Sequence, residues 1–378
     1  MTGQQTVGIE TEVDNITFFS KRRHDMRKNI TLLLLLVALV FAFHSIALGA
    51  DVIKLKAANY LPPTHPMSHL TGWFCDEVKK RTDGRVEIAY HAGGTLLNPV
   101  KMYDGVTTGI TDLGVSHIQY TRGRFPVTEV FDLPLGSPSG WVATQVSTDF
   151  YAKFKPKEWD EVHVLYINTC GPLILQTISK PVKTLEDMKG LKIRATGQLS
   201  DVVKALGALP IPLQMPDVYE SLKRGVIDGI VVDLSTLKFW KFAEVVKCVT
   251  SSWQLGTGIT FYFVINKGKW NALAPDIQKI FTEVALEAKE KQAVLWNQMD
   301  IEGRDLFKST GGEVLSLSDA EATKWVKAVE PVIDAYKKDM VSKGYKEADV
   351  DGWLKYIKER IPYWTKEEKQ KGIAAPFM

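Results

Sequence analysis

Cysteine is scarce in this chain of 378 residues: Cys75, Cys170 and Cys248 are its whole complement. Three thiols so widely spaced supply neither a disulfide framework nor a zinc site, and they read as buried small hydrophobes, with a single disulfide left open. Catalytic signatures are missing as well. No Walker loop, G-x-G-x-x-G or G-x-S-x-G pattern occurs, which sets aside the commonest nucleotide-binding and serine-hydrolase readings. His65 and His69 stand four apart, but Pro66 puts His65 at or before a helix start and no glutamate base lies between them, so they do not form a metal-binding helix face. The formal net charge of +3 is spread out, and no basic block interleaved with aromatics occurs in the body of the chain, which argues against nucleic acid as a partner. No low-complexity linker or solenoid repeat is found. The expectation is a protein without catalytic residues, cofactor or metal, working on small molecules or proteins.

Among the features present, the N-terminus stands out. Lys21, Arg22, Arg23, Arg27 and Lys28 precede the apolar run TLLLLLVALVFAF, and small residues follow at HSIALGAD. This is the layout of a secretory signal, cut after Gly49 or Ala50, and the run is short for a membrane span. Residues 1–50 are therefore assigned to the signal, with Met26 as an alternative start, and the mature protein is expected in the periplasm. No cysteine sits at the cleavage site, which argues against a lipid anchor.

Beyond it, strands and helices alternate. IKLKAAN, RVEIAYH and DLGVS read as strands separated by helices near 68–81 and 99–106, a repeated β-α-β pattern. GRFPVTEVFDLPLGSPSG is expected to wrap the surface. After a helix from about Trp141 to Phe154, EVHVLYINTCG and PLILQTI read as strands interrupted at Cys170-Gly171-Pro172, and KIRA, ALPIPL and IDGIVVD open a second β-α-β series. Trp253–Lys267 reads as one strand crossing back. From Pro275 to about Phe307 no proline interrupts the stripe Ile277, Ile280, Phe281, Val284, Ala285, Ala288, so a single helix of more than about 40 Å is expected to brace both halves. Two amphipathic helices follow.

The ordered set AANYLPPTHPMS, GRVEIAYHAGGTL, YDGVTTGITDLGVS, LEDMKGLKIRATG and MPDVYESLKRGVIDGIVV resembles the substrate-binding subunits of tripartite ATP-independent periplasmic (TRAP) transporters, whose archetypes bind C4-dicarboxylates. The resemblance implies an α/β, two-lobed periplasmic-binding-protein architecture with mostly parallel sheets, an interlobe ligand cleft and a long bracing helix. Lobe 1 is expected to comprise residues 51–171 with about 260–299, and lobe 2 residues 172–259 with about 300–378 and the C-terminal helices. It further implies a small organic acid as ligand, and one small and one large integral membrane subunit as partners, driven by an ion gradient.

Carried onto this chain, the resemblance makes Arg194, at the end of LKIR, the residue that clasps a ligand carboxylate with two parallel hydrogen bonds. By place in the pattern Tyr60, Ser116, His117, Gly171, Thr196, Met215, Val232, Asp233 and Thr236 are expected to face the cleft. The chain carries Ile230-Val231-Val232 where many relatives have polar residues, and no second arginine follows the crossing, so an apolar or aromatic monocarboxylate such as a 2-oxo acid or aryl acid suits the wall better than a sugar acid or compact dicarboxylate. Asp233 favours an amino or hydroxyl substituent, or else is a solvated strand end. An ABC-type or sensory binding protein shares the architecture, and a secreted enzyme would need chemical groups that the sequence does not offer.

Overall fold

Beta-alpha alternation governs the first part of the chain. In a computed structural model that describes residues 52–256 and 258–377, β1 (Ile53–Asn59), α1 (Pro66–Arg81), β2 (Val86–His91), α2 (Met102–Thr107), β3 (Leu113–His117), α3 (Gly140–Phe154) and β4 (Val162–Thr169) follow one another. The signal-peptide reading of residues 1–50 lies outside the described residues. Each start has a local cause. His65 caps α1, its Nδ1 accepting from Met67 N at 3.2 Å with Pro66 at the first helical position, where the missing N–H costs nothing. Ser139 caps α3 by accepting from Val142 N.

The second series comprises β5 (Ile174–Thr177), β6 (Lys192–Arg194), α4 (Leu199–Ala205), β7 (Leu209–Ile211), α5 (Val218–Lys223), β8 (Gly229–Val232), α6 (Thr236–Phe239) and β9 (Cys248–Ser251). The chain then returns through β10 (Thr260–Asn266) and α7 (Lys267–Ala272) to the long helix α8 (Pro275–Ser309), followed by β11 (Glu313–Ser316), α9 (Asp319–Ser342) and α10 (Glu347–Gln370).

Two sheets result, in the orders β2-β1-β3-β10-β4 and β11-β9-β5-β8-β6-β7. The parallel pairs implied by β-α-β units are present: β1 with β3, and β6 with both β7 and β8. The strands that carry the chain between sheets run against one another, while β9 stays parallel to its other neighbour, β11. β4 leaves the first sheet and β10 re-enters beside it, antiparallel to β4 and β3; β5 enters the second sheet and β9 leaves beside it, antiparallel to β5. A chain that goes out and comes back on adjacent strands must reverse direction, so both sheets are mixed.

Two segments depart from expectation. The stretch from Gly123 to Gly140 is not a surface wrap, because Phe125, Val130 and Leu133 are fully buried. Phe125 stacks on Trp159 with ring centroids 4.2 Å apart, and the Glu158 carboxylate accepts from the N–H groups of Val127 and Thr128 at 2.8 and 2.7 Å. Apolar side chains between the Pro and Gly residues outweigh their turn-forming tendency. In the returning segment, Trp253–Leu255 forms a 3-10 turn that ends in Gly256 at φ 55°, and the strand starts only at Thr260. The left-handed region suits glycine and breaks an extended run.

Helix α8 packs on α1, α3 and β4 on one side and on α6 on the other, thereby touching elements of both sheets. Its 35 residues extend about 50 Å at 1.5 Å per residue. Trp296, Asn297 and Asp300 on its inner face are buried. Gly303 permits the closest approach, since a Cβ there would overlap the Leu234 carbonyl.

Candidate functional site

Strands β6, β7 and β8 run parallel, with Arg194 opposite Ile211 on one side and Ile230 on the other. Arg194 thus stands at the C-terminal edge of the central strand of three, where open α/β sheets present groups to ligands. The side chain is only 1% exposed. Its Nε and Nη2 both donate to the Leu213 carbonyl, at 3.0 and 2.9 Å, which fixes the plane of the guanidinium. Among the described residues no carboxylate pairs with it, so a permanent cation is buried beside a backbone carbonyl and the Tyr120 hydroxyl, neither of which carries a compensating charge. Such an arrangement is costly unless an anion completes it.

Arg194 borders a half-open pocket of about 30 Å³, which as it stands holds little more than a water and has to open further to admit a small molecule. Tyr60, His117, Met215, Val232, Asp233 and Thr236, all singled out from the sequence, share its wall with Arg194. Ser116, Gly171 and Thr196 do not line it. Ser116 Oγ donates to the Pro99 carbonyl at 2.9 Å, on the other side of β3 from His117, because successive strand residues face opposite ways. Thr196 Oγ1 donates to Gln119 Oε1 at 3.0 Å. Gly171 lies against the Asp300 carboxyl, where a Cβ would collide with Oδ2; its role is close packing at the crossing.

The sequence reading missed the aromatic half of the wall. His65, Trp240, Phe261 and Trp296 also line the cavity. The His65 ring meets Phe239 and Trp240 with centroids 5.7 and 6.4 Å away, so the residue that caps α1 also serves as a wall. Trp296 lies 5.3 Å from Phe261 and its Nε1 donates to Asn168 Oδ1 at 3.0 Å. The α8 stripe continued to position 296 was the available signal. Tyr120 stands behind, stacked on His117 at 3.8 Å, its hydroxyl accepting from Met215 N at 3.0 Å.

Burial, and then the neighbouring Arg194 charge, holds His117 well below the ordinary histidine range. Burial, reinforced by His69, brings His65 down to about 3. Both imidazoles are neutral at pH 7. Burial pushes the Tyr60 phenol up, with Tyr120 adding to the rise and Arg194 opposing it. Asp233 and Asp300 form a buried carboxyl pair. Burial, and then the proximity of Asp233, raises Asp300 well above the usual carboxylate range, and burial also raises Asp233. Ser235 ties the pair together: its hydroxyl donates to Asp233 Oδ1 and its N–H to Asp300 Oδ1 at 2.9 Å. The lining therefore combines a buried cation and hydrogen-bonding groups with aromatic and aliphatic side chains.

Polar contacts also link segments that follow strands of the two sheets. Arg122 pairs with Asp201 and donates to Gln198 Oε1 at 3.2 Å, and Gln198 Nε2 donates to Glu129 Oε2 at 3.2 Å. With the Thr196–Gln119 bond, these join the segment after β3 to the start of α4.

Comparison with known proteins gives a consistent picture. The family model for bacterial extracellular solute-binding protein, family 7, matches residues 57–339. The chain is 27% identical over 296 residues to the 2,3-diketo-L-gulonate-binding periplasmic protein of Escherichia coli strain K12, covering 76% of this chain and 88% of that one. A TRAP periplasmic solute binding protein from Desulfovibrio salexigens superimposes with a TM-score of 0.72 at 30% identity, covering 82% of this chain and 95% of that one. One from Bordetella bronchiseptica, solved with bound (R)- and (S)-mandelate, gives a TM-score of 0.75 at 28% identity, with 82% and 99% covered.

Proposed function

We propose, because the chain belongs to the bacterial extracellular solute-binding proteins of family 7, that it captures an apolar or aromatic monocarboxylate outside the cytoplasm and delivers it to the small and large membrane subunits of a TRAP transporter. The observation that carries this reading is Arg194, a buried cation with no carboxylate partner among the described residues, facing a cavity whose wall is mostly aromatic and aliphatic, with Asp233, Ser235 and Thr236 as further polar members. A guanidinium matches a carboxylate with two parallel donors. The Bordetella relative holds mandelate, an aromatic monocarboxylate. No helix among the described residues is long and apolar enough to cross a membrane, in keeping with a binder that hands its cargo to separate membrane proteins after N-terminal export.

The residues imply capture by closure. An open cleft admits the acid, the two sheets hinge about the crossing strands, and the contacts around Arg122 form as the lobes meet. Ligand favours the closed state by its differential affinity for it. A thermal-shift screen of the purified protein tests the reading. Aromatic and apolar monocarboxylates are expected to raise the melting temperature by several degrees at millimolar concentration, about what RT ln(1 + [L]/Kd) gives at a thousandfold excess over Kd, while neutral and cationic analogues leave it unchanged. Equal shifts from the uncharged analogues would refute it. The closing contacts make a smaller prediction: Arg122→Ala breaks a half-exposed ion pair, and ligand release measured by stopped flow should accelerate roughly two- to fivefold. An unchanged release rate would mean the pair plays no part in closure.

A further inference from the structure

The carboxyl pair at the cavity has no role in holding a plain carboxylate. A simple anion needs Arg194, and an acidic group beside it is a liability through like-charge repulsion. Yet Asp233 is buried, lines the same cavity as Arg194 and is held there firmly. Its carbonyl accepts from Gln176 Nε2 at 3.0 Å and from Thr236 Oγ1 at 2.8 Å, and its carboxyl accepts from Ser235 Oγ. A solvated strand end, the alternative suggested by the sequence, does not describe a side chain so buried and so restrained.

A second, independent feature points to the same cavity. His117 Nδ1 is buried and has no hydrogen-bond partner among the described residues, although the ring is fixed between Tyr120 and Phe261. A buried polar atom left unpartnered is expensive and calls for an explanation. His117, Tyr60, Asp233 and Arg194 all border the cavity, and the Tyr60 phenol feels the charges of both Arg194 and Asp233. The groups that read the carboxylate and the groups left over thus share one cavity wall with the aromatic side chains Trp240, Phe261 and Trp296.

We propose that Asp233, backed by Asp300 and Ser235, is a specificity residue that reads a hydroxyl on the carbon next to the ligand carboxylate, so that the preferred ligand is a 2-hydroxy acid with an apolar or aromatic side chain. This rests on the monocarboxylate reading above and sharpens it. A hydroxyl both donates and accepts, so it satisfies Asp233 whether or not the pair holds its proton, and it offers His117 Nδ1 a partner. A keto oxygen only accepts, and a methylene does neither. An ammonium would require a full negative charge on Asp233, which burial and the shared proton oppose.

The test is a matched set on one scaffold: 3-phenyllactate, phenylpyruvate, 3-phenylpropanoate and phenylalanine, titrated calorimetrically into wild type, Asp233→Ala and Asp233→Asn. Wild type should bind phenyllactate at least tenfold more tightly than each of the other three. In Asp233→Ala the preference over phenylpropanoate should collapse to within threefold, and a thermal melt certifies that the variant is folded. Asp233→Asn, which keeps the shape and an acceptor, should retain part of the preference. Wild-type affinities within threefold of one another, tightest binding of phenylpyruvate or phenylalanine, or a preference that survives in Asp233→Ala would each overturn the proposal while leaving the monocarboxylate reading standing. Failure of all four acids to bind wild type would overturn both.

Discussion

Arg194→Ala is expected to weaken carboxylate binding by at least about a hundredfold, and to do so without unfolding the protein. Two charge-assisted hydrogen bonds in a closed site contribute about 1.5 to 3 kcal/mol each, and every 1.4 kcal/mol is about tenfold in affinity. The fold should tolerate the change because the guanidinium makes no ion pair within the described protein and is 1% exposed. Its removal relieves a buried charge and leaves the Leu213 carbonyl short of two donors, effects of opposite sign. Calorimetry for affinity and a thermal melt for stability separate the two. Arg194→Lys should recover only a small part of the loss: an ammonium keeps the charge but cannot hold the Leu213 carbonyl and present a parallel pair of donors together. If Arg194→Ala binds within threefold of wild type, the guanidinium is structural and the cavity has been misread.

The second large effect concerns α8. Gly303→Ala places a methyl group onto the Leu234 carbonyl, with Ser235 Cα 3.2 Å from the same point. Both obstacles are backbone, so they cannot swing aside as a side chain tip would. The expected cost is about 2 to 3 kcal/mol, seen as a shift of the denaturation midpoint. Ligand affinity should fall with it, because the displaced segment carries Asp233, Ser235 and Thr236 into the cavity wall. Gly352→Ala is the matching control. Gly352 is an exposed interior position of α10, and nothing lies within 4 Å of a Cβ there. Alanine should stabilise it by up to about 1 kcal/mol. Equal behaviour of the two variants would show that helix propensity, not the crossing with the 233–236 segment, governs Gly303.

The two variants also show which parts of the site could be read from residues alone. Arg194 was singled out through the resemblance carried by LKIR, since an arginine at a strand end is by itself more often solvated, and the long helix because its stripe is unbroken by proline. Asp233 was legible as a residue but not as a buried pair, since its partner Asp300 lies in a distant helix and no periodicity links them. The proline after His65 marks it as a helix-start residue, where it caps α1; that its ring also lines the cavity depends on Trp240, which only the tertiary fold brings near. Ser116 was misplaced by one residue of strand alternation, and the short strands CVTS and EVLS carry too few residues for alternation to declare itself. The reversal of the crossing strands follows from connectivity, which no window of sequence contains.

That connectivity also sets an order of events for the newly made chain. Strand β10 lies between β3 and β4 in the first sheet, although every strand of the second sheet except β11 precedes it in sequence. Until residues 260–266 emerge, β3 and β4 each have an unsatisfied edge facing a gap, and the first sheet cannot be completed by the part of the chain synthesised first. Loop closure over so long a separation is slow, and open strand edges invite pairing with other chains. A protein wired in this way gains little from folding as it is synthesised, because its two halves are laced together only when the returning strand is out.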